Sequence, residues 1–327
     1  MRSLRRFSRH WQNLLGLAIV VFFAVIAIFA PRMSPKDSMI ITTAQLKLTG
    51  NDRLFPARPS AMVPIGTIPI DHFKHYNIFY FIVWGTRSAF IFGLVVVLST
   101  ALIGVVIGAI AGNSPGWLNN GLMRITDAML AFPIIVGVVL FQTILNSLLL
   151  SALKNDPIGY WIARNDPTHM FDVHFGPLAT FLMQLDPLMV ALILFSWMPY
   201  ARIVNTLIIK LRQLDYVEAS RALGAGKLRI TFRHLIPNAI SPALVLAARD
   251  IGFVVVLQAT FTYIHITGGS YWGELLNQAQ RWIIGPGGNV FVRWWVFFPA
   301  TLALILFGVG WNLVGDGLND LLNPQSY

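Results

Sequence analysis

The chain has 327 residues, of which 56% are hydrophobic and 12% are charged, and its formal net charge is +10 at pH 7. Soluble domains carry about 45–50% apolar and about 25% charged residues, so this composition predicts a polytopic membrane protein. The sequence contains no cysteine, which excludes disulfides and thiolate metal sites. Its basic residues lie beside apolar segments, where they mark cytoplasmic loops and contact anionic membrane lipid, so the positive charge does not predict nucleic-acid binding.

Six apolar segments are long enough to cross about 30 Å of hydrocarbon, and they predict an all-α protein with six transmembrane helices. In chain order the segments are Leu14–Ala30, Phe90–Ala111, Met129–Leu150, Leu188–Ile209, Ala239–Ile266 and Trp294–Val314. The first segment follows several arginines and therefore resembles a signal peptide. Its length, and Pro31 directly after it, favour a retained membrane anchor.

The basic residues also predict the orientation in the membrane. Arginines precede the first span, and a basic loop follows the fourth span. The basic residues of that loop are Lys210, Arg212, Arg221, Lys227, Arg229 and Arg233. Because an even number of spans separates the ends, both termini and this loop are expected in the cytoplasm, and the connection from Pro31 to Phe81 outside. Four tryptophans are expected as anchors at the outer interface, namely Trp272, Trp282, Trp294 and Trp295.

The sequence lacks the motifs of a metal or nucleotide enzyme. It has no His-Glu-x-x-His pair, and neither His72 with His75 nor His169 with His174 has a nearby carboxylate cluster, so a loop role is expected for all four. The segment before Lys227 resembles a phosphate loop but lacks the first glycine of that motif. Lys227 is also followed by Leu228 and not by the Ser or Thr that the motif requires. Any energy that the protein uses must therefore come from a partner or from an ion gradient.

A charged, helix-forming stretch separates the fourth and fifth spans. It begins at Asp215, and four of its residues recur at helical spacing, which predicts a short amphipathic helix. These four are Tyr216, Val217, Ser220 and Leu223. Gly224 permits the turn that ends the helix, and Pro237 is suited to open the next one. From periodicity alone, a surface helix lying on lipid headgroups is an alternative.

The sequence around this helix resembles a known signature. Glu218-Ala219-Ser220 is followed by Gly224 and, after nine further residues, by His234-Leu235-Ile236-Pro237. This spacing resembles the EAA signature of the membrane subunits of bacterial ABC importers, with Ser for the second Ala and Ile for Leu. The chain is also similar to the second permease subunit of dipeptide, oligopeptide and nickel importers in three other places. These are Trp197–Arg202, Gly121–Asp127 with Phe132-Pro133, and Asn312–Asp320 with Asn323-Pro324.

The resemblance implies a type I ABC importer transmembrane fold, with residues 84–316 as the permease domain. Residues 1–83 would form a cytoplasmic segment, the first anchor and an external loop, and residues 317–327 a cytoplasmic tail. In that family the charged stretch is a coupling helix that docks in a groove of a cytoplasmic ATPase subunit. The residues implied in coupling are Asp215, Tyr216, Glu218, Ala219, Ser220, Arg221, Gly224, Ala225 and Lys227.

The resemblance also implies partners and a location. The partners are a second homologous permease subunit, two cytoplasmic ATP-binding subunits and an external solute-binding protein, assembled at the cell (plasma or inner) membrane. ATP and Mg²⁺ would be bound by the ATPase subunits, and this chain is expected to carry no cofactor and no enzymatic activity. Residues 65–71 keep only part of the family's pattern, and Gln258 stands where the family tends to carry Glu, which leaves the solute open.

Polar side chains inside apolar spans are costly in lipid and usually face a bundle interior, so they are candidates for the translocation path. The candidates are Gln142, Asn146, Asn205, Arg249, Asp250 and Gln258. Each has an alternative role in a helix-to-helix hydrogen bond worth about 0.6 kcal/mol, and Arg249 beside Asp250 is the strongest functional candidate. The competing class is an ATP-independent secondary transporter or channel, for which an internal repeat and paired broken helices are expected.

Overall fold

The structure is a computed structural model that describes residues 10–154, 186–266, 268–284 and 289–322. It is mostly helical, so the predicted helical membrane fold is confirmed. The helices are α1 (Trp11–Met33), α2 (Ile78–Asn113), α3 (Gly116–Leu130), α4 (Ile134–Lys154), α5 (Pro187–Phe195), α6 (Met198–Leu211), α7 (Asp215–Ala222), α8 (Lys227–Ile230), α9 (Ile236–Tyr263), α10 (Tyr271–Ala279) and α11 (Trp294–Leu322). The strands are β1 (Ile40–Thr42), β2 (Thr67–Pro69) and β3 (Lys74–Asn77).

Five helical segments of the described residues are long and apolar enough to span a membrane, and a sixth arises if α3 and the first part of α4 count as one span. These two helices are bent by 86° relative to each other. The predicted third span, which begins at Met129, is therefore wrong at its start. The break lies at Phe132-Pro133, because proline offers no N–H to the helix and disfavours the helical conformation of the residue before it.

A small antiparallel sheet lies between α1 and α2, and the sequence did not predict it. Strand β3 is central, with Tyr76 opposite Ile40 of β1 and opposite Ile68 of β2. The hairpin between β2 and β3 is closed by Asp71, whose Oδ1 accepts hydrogen bonds from the N–H groups of Phe73 (2.6 Å) and Lys74 (2.8 Å). The connection expected as an external loop is therefore partly folded as a sheet.

The described residues pack as two units, one made of those up to Leu98 and from Pro237 onward, the other of those between 99 and 236. In the first unit α1 packs on α11. The two helices are so close at Gly16 that any side chain there would collide with Leu313. This packing supports the interpretation of the first span as a retained anchor. Trp272 and Trp295 are buried in this unit, so the prediction that their side chains serve as anchors in the membrane interface is wrong.

In the second unit, helix α2 packs on α6 through three glycines spaced four residues apart. A Cβ on any of them would approach α6 within 3 Å, which is closer than real side chains allow. The three are Gly104, Gly108 and Gly112. Small residues at this spacing let two membrane helices approach closely and gain van der Waals contact. The same unit carries the charged loop, which we define as residues 212–235.

Candidate functional site

Helix α7 forms where the sequence periodicity predicts it. Asp215 and Glu218 lie in its first turn, where their negative charges face the positive end of the helix dipole. Arg221 lies in the last turn, where a positive charge is favoured. Charge and helical spacing therefore agree in placing a helix here, although no side chain caps its N-terminus.

The helix ends in a Schellman turn. The N–H of Gly224 donates to the carbonyl of Arg221 (2.9 Å), and the N–H of Ala225 donates to the carbonyl of Ser220 (3.0 Å). Gly224 has a φ of +83°, the left-handed conformation that this turn needs and that glycine adopts without steric cost. The predicted role of Gly224 in ending the helix is confirmed.

The charged loop is open along most of its length. All nine residues implied in coupling are exposed or half-buried, and Val217 is the one buried residue of the segment 213–229. Leu223 is 89% exposed and Leu228 is 73% exposed. Large apolar side chains exposed on a charged loop make this part of the loop a candidate contact surface.

Both ends of the charged loop are attached to the last two residues of α2. Arg212 Nη1 donates to the carbonyl of Gly112 (2.7 Å), and Asn113 Nδ2 donates to Thr231 Oγ1 (2.8 Å). The carbonyls in the last turn of a helix have no intrahelical partner and carry the negative end of the dipole, so a guanidinium there is favoured. The loop therefore has two fixed ends and an exposed middle.

A π-helical turn (Thr231–Leu235) joins α8 to α9. The N–H of Ile236 donates to the carbonyl of Thr231, five residues back. The widened turn precedes Pro237, which has no N–H and whose ring crowds the carbonyl four residues earlier. Pro237 lies at the start of α9 as predicted, but the chain before it is already helical. The ring of His234, in this turn, lies 6.1 Å from the ring of Tyr216 in α7.

Two of the candidate path residues in the second unit are described at their side chains. Asn205 is buried and its Nδ2 donates to Oδ1 of Asn119 (2.6 Å), so it has the helix-to-helix role that was its alternative. Gln142 is half-buried. The backbone of Asn146 lies within α4, but its side chain lies outside the described residues.

The remaining path candidates lie on α9 in the first unit. Arg249 forms an ion pair with Asp316 of α11, and both side chains are about half exposed. Asp316 belongs to the C-terminal motif but was not singled out from the sequence. Asp250 is half-buried, and Gln258 is only 2% exposed. Gln258 is thus packed within its unit in this structure.

The residues that attach the charged loop to α2 were missed by the sequence analysis. Arg212 was counted only as a loop charge, and Asn113 and Thr231 were not noted. The spacing of Gly104, Gly108 and Gly112 was the available signal, because it predicts a helix that packs closely on a neighbour. No signal in the sequence shows that the loop returns to the end of that same helix.

Within the described residues, no group of three or more His, Asp or Glu side chains is placed to hold a metal ion. His75 is buried, its Nε2 donates to the carbonyl of Arg53 (2.9 Å), and its Nδ1 therefore accepts from the hydroxyl of Thr67 (2.9 Å). Burial lowers the pKa of His75, which favours this neutral form. His169 and His174 lie outside the described residues.

Apolar spans together with an exposed charged loop between two of them define a polytopic membrane protein. Comparison with known families identifies it further. Residues 104–326 match the family described as the binding-protein-dependent transport system inner membrane component. Residues 1–51 match the N-terminal transmembrane domain of oligopeptide transport permease C. The chain therefore belongs to this family, the permease subunits of ABC importers of the dipeptide, oligopeptide and nickel type.

Similar curated proteins cover nearly the whole chain. The dipeptide transport system permease protein of Alkalihalophilus pseudofirmus is 28% identical, over 99% of this chain and 89% of the relative. The oligopeptide transport system permease protein of Bacillus subtilis is 26% identical, over 99% and 88%. The nickel transport system permease protein of Escherichia coli is 28% identical, over 97% and 96%. The relatives share a permease role but differ in the solute that their names give.

Proposed function

We propose that this chain forms half of the translocation path of an ATP-driven importer for peptides or similar small solutes. Its partners would be a second homologous permease subunit, two cytoplasmic ATP-binding subunits and an external solute-binding protein. ATP and Mg²⁺ would be bound by the ATP-binding subunits. The observation that carries the proposal is the charged loop, which is exposed in its middle and attached to α2 at both ends.

The attachments of the charged loop would let it pass a partner's movement to the helices. A partner that moves the exposed middle would pull on the last turn of α2 through Arg212 and Thr231 as well as on α6 and α8, which flank the loop in the chain. Packed helices move as rigid bodies, so a force on one end of α2 displaces the whole helix. The nine residues implied in coupling would provide the contact with the ATPase subunit.

The family and the names of relatives support an importer, and the broken helices expected of a secondary transporter are not found as a pair of repeats in the described residues. A secondary transporter is expected to contain broken helices in corresponding positions of two repeats. The described residues contain one bent pair, α3 with α4. Peptides are proposed as the solute class because dipeptide and oligopeptide permeases are among the similar proteins.

The charged loop and both termini would face the cytoplasm, and the sheet segment, which we define as residues 34–77, would face outward. Single cysteines test this orientation on a background that has none. Lys227→Cys and Ser60→Cys both replace exposed residues. An impermeant reagent applied from outside should label only Ser60→Cys in whole cells. Labelling of Lys227→Cys under the same conditions would reverse the orientation.

Replacement of Gly224 tests the coupling role. Valine at φ +83° is strained by about 1–2 kcal/mol, although open space surrounds the position. We expect Gly224→Val to insert and to assemble with the ATPase subunits, while solute uptake and solute-stimulated ATP hydrolysis fall about tenfold. The measurement is uptake and hydrolysis in vesicles reconstituted with the whole complex.

A matched control lies two residues away in the same loop. Gly226 also has open space around it, but its φ of −67° and ψ of 155° are accessible to valine. Gly226→Val should therefore retain coupling. Normal uptake and hydrolysis in Gly224→Val, or an equal loss in both variants, would contradict the proposed role of the Schellman turn.

A further inference from the structure

A cavity of about 340 Å³ lies in the first unit, beside the sheet segment. Its wall combines Tyr76 of β3, Phe81 of α2, and Tyr271 and Glu274 of α10. The other lining residues are Met39, Thr262, Gly269 and Ser270. A volume of this size lies within the range of small-molecule sites, which begins at about 300 Å³. No role for this cavity follows from the charged loop or from the candidate path residues.

Three aromatic rings form one connected wall of the cavity. The ring of Phe81 lies 5.0 Å from that of Tyr76 and 5.8 Å from that of Tyr271, both in edge-to-face geometry. Phe81 is buried, and the two tyrosines are half-buried, so the rings are fixed at one end and reachable at the other. Faces of aromatic rings carry partial negative charge and attract cations.

Glu274 is the one ionisable group besides the two tyrosines in the wall, and no Lys, Arg or His lines the cavity within the described part of the chain. The carboxylate is half-buried and accepts a hydrogen bond from Gln278 Nε2 (2.8 Å). Burial first, and the negative charge of Glu274 second, raise the pKa of Tyr76, so its hydroxyl stays protonated. The cavity thus has negative charge and ring faces but no cation of its own.

The threonine and serine hydroxyl groups of the wall already make hydrogen bonds within the fold. Thr262 Oγ1 donates to the carbonyl of Gln258 (3.0 Å), and Ser270 Oγ accepts from the N–H of Gly273 at the start of α10 (3.1 Å). A hard metal ion needs about six oxygen ligands, and a single carboxylate does not supply them. An organic cation needs only a counter-ion and apolar or aromatic contacts, and the cavity offers both.

We propose that this cavity binds the primary ammonium group of a small solute, with Glu274 as its counter-ion and Tyr76, Phe81 and Tyr271 as the surrounding rings. The amino end of a short peptide and a simple alkylamine share this chemistry. The inference rests on the cavity and not on the charged loop, so a failure to bind the ammonium group in the absence of ATP would not contradict the proposed function.

The test measures binding of n-butylammonium to the full chain in lipid nanodiscs by saturation-transfer NMR. We expect n-butylammonium to bind and n-butyrate not to bind. Glu274→Gln should weaken binding about tenfold or more, since it removes the counter-ion but keeps the side-chain shape. Asp52→Asn, which neutralises an exposed carboxylate of the same unit outside the cavity, should leave binding unchanged.

Two further variants separate the rings from the hydroxyl groups. Tyr271→Phe keeps the ring face and should bind n-butylammonium as the unchanged chain does, whereas Tyr271→Leu should bind it several-fold more weakly. A dipeptide with a free amino end should compete with n-butylammonium, and its N-acetylated form should not.

Three results would overturn the proposal. The first is that n-butylammonium does not bind to the unchanged chain. The second is that Glu274→Gln binds it as well as the unchanged chain does. The third is that residues of the cavity, in a cross-linking experiment on the whole complex, are joined only to a lysine of the solute-binding protein. In the last case the cavity would be a contact for that protein and not a site for a small solute.

Discussion

The charged loop and the sheet segment differ in how far their residues pack within the chain. In the sheet segment the buried polar side chains have partners within the segment, as His75 has in Thr67 and in the carbonyl of Arg53. In the charged loop, large apolar side chains such as Leu223 and Leu228 are exposed. The sheet segment packs on the rest of its unit, as buried Ile68 does, whereas in the middle of the charged loop (residues 213–229) Val217 alone is buried.

The comparison shows where a substitution acts. A change in the sheet segment disturbs contacts that already exist in the folded chain, so it should reduce stability. A change in the middle of the charged loop disturbs few internal contacts, so it should leave the fold intact and affect what the loop does with a partner. Each of the following predictions tests this difference.

The largest expected effect is that of alanine at Gly66 in the sheet segment. Gly66 has a φ of +92°, and a Cβ there would lie 2.6 Å from the carbonyl oxygen of Ala57 and 2.8 Å from Cδ1 of Trp295. Strain of about 1–2 kcal/mol and overpacking of about 1–3 kcal/mol add at this position. Gly66→Ala should therefore destabilise the sheet segment by about 2–5 kcal/mol, measured by hydrogen exchange of residues 39–77.

Gly224→Ala is the matched comparison, because Gly224 also has a positive φ but has nothing within 4 Å of the added Cβ. It should cost about 1–2 kcal/mol in the turn and leave the exchange of the sheet segment unchanged. If both variants lost the same stability, the difference between a closed segment and an open loop would disappear.

The second effect concerns the attachment of the charged loop to α2. Arg212→Gln removes a charge-assisted hydrogen bond to the carbonyl of Gly112, which is worth about 1–2 kcal/mol at a half-buried position. We expect the complex to assemble and to hydrolyse ATP, while the solute transported per ATP falls about threefold to tenfold. Lys210→Gln, at an exposed basic residue two positions earlier, is the control and should transport normally. Equal coupling in both variants would show that Arg212 does not transmit movement.

The features that the sequence predicted are local ones. The helix from Asp215 and the turn at Gly224 follow from spacing and from the conformation that glycine allows, and the spans follow from hydropathy. The break at Phe132-Pro133 follows from the chemistry of proline, yet the predicted span ran through it because hydropathy alone set its boundary. The role of the nine residues implied in coupling stays a prediction.

The features that the sequence did not predict are pairings between distant residues. The strands are only three or four residues long, which is too short to show a periodic pattern. Their pairing joins residues that are far apart in the chain, such as Ile40 and Tyr76. Arg212 with Gly112 and Arg249 with Asp316 are likewise joined only by the fold. Trp272 was expected at the interface because tryptophan often lies there, but Gly85 leaves room for its ring inside the unit.

The smallest expected effect is the pH dependence of the sheet segment. Burial lowers the pKa of His75 below its usual value of 6.5, so the unfolded segment binds a proton more readily than the folded one. The contribution of neutral His75 is therefore complete above about pH 6.5 and is lost as the pH falls toward the lowered pKa, at no more than about 1.4 kcal/mol per pH unit. Protection factors for residues 39–77, corrected for intrinsic exchange, should decrease between pH 7.5 and pH 5. His75→Gln, which does not titrate and offers both a donor and an acceptor, should flatten this dependence, whereas His72→Gln at the exposed hairpin should keep it. A pH dependence that persists in His75→Gln would assign the effect to another titrating group. It would contradict the prediction that neutral His75 stabilises the sheet segment.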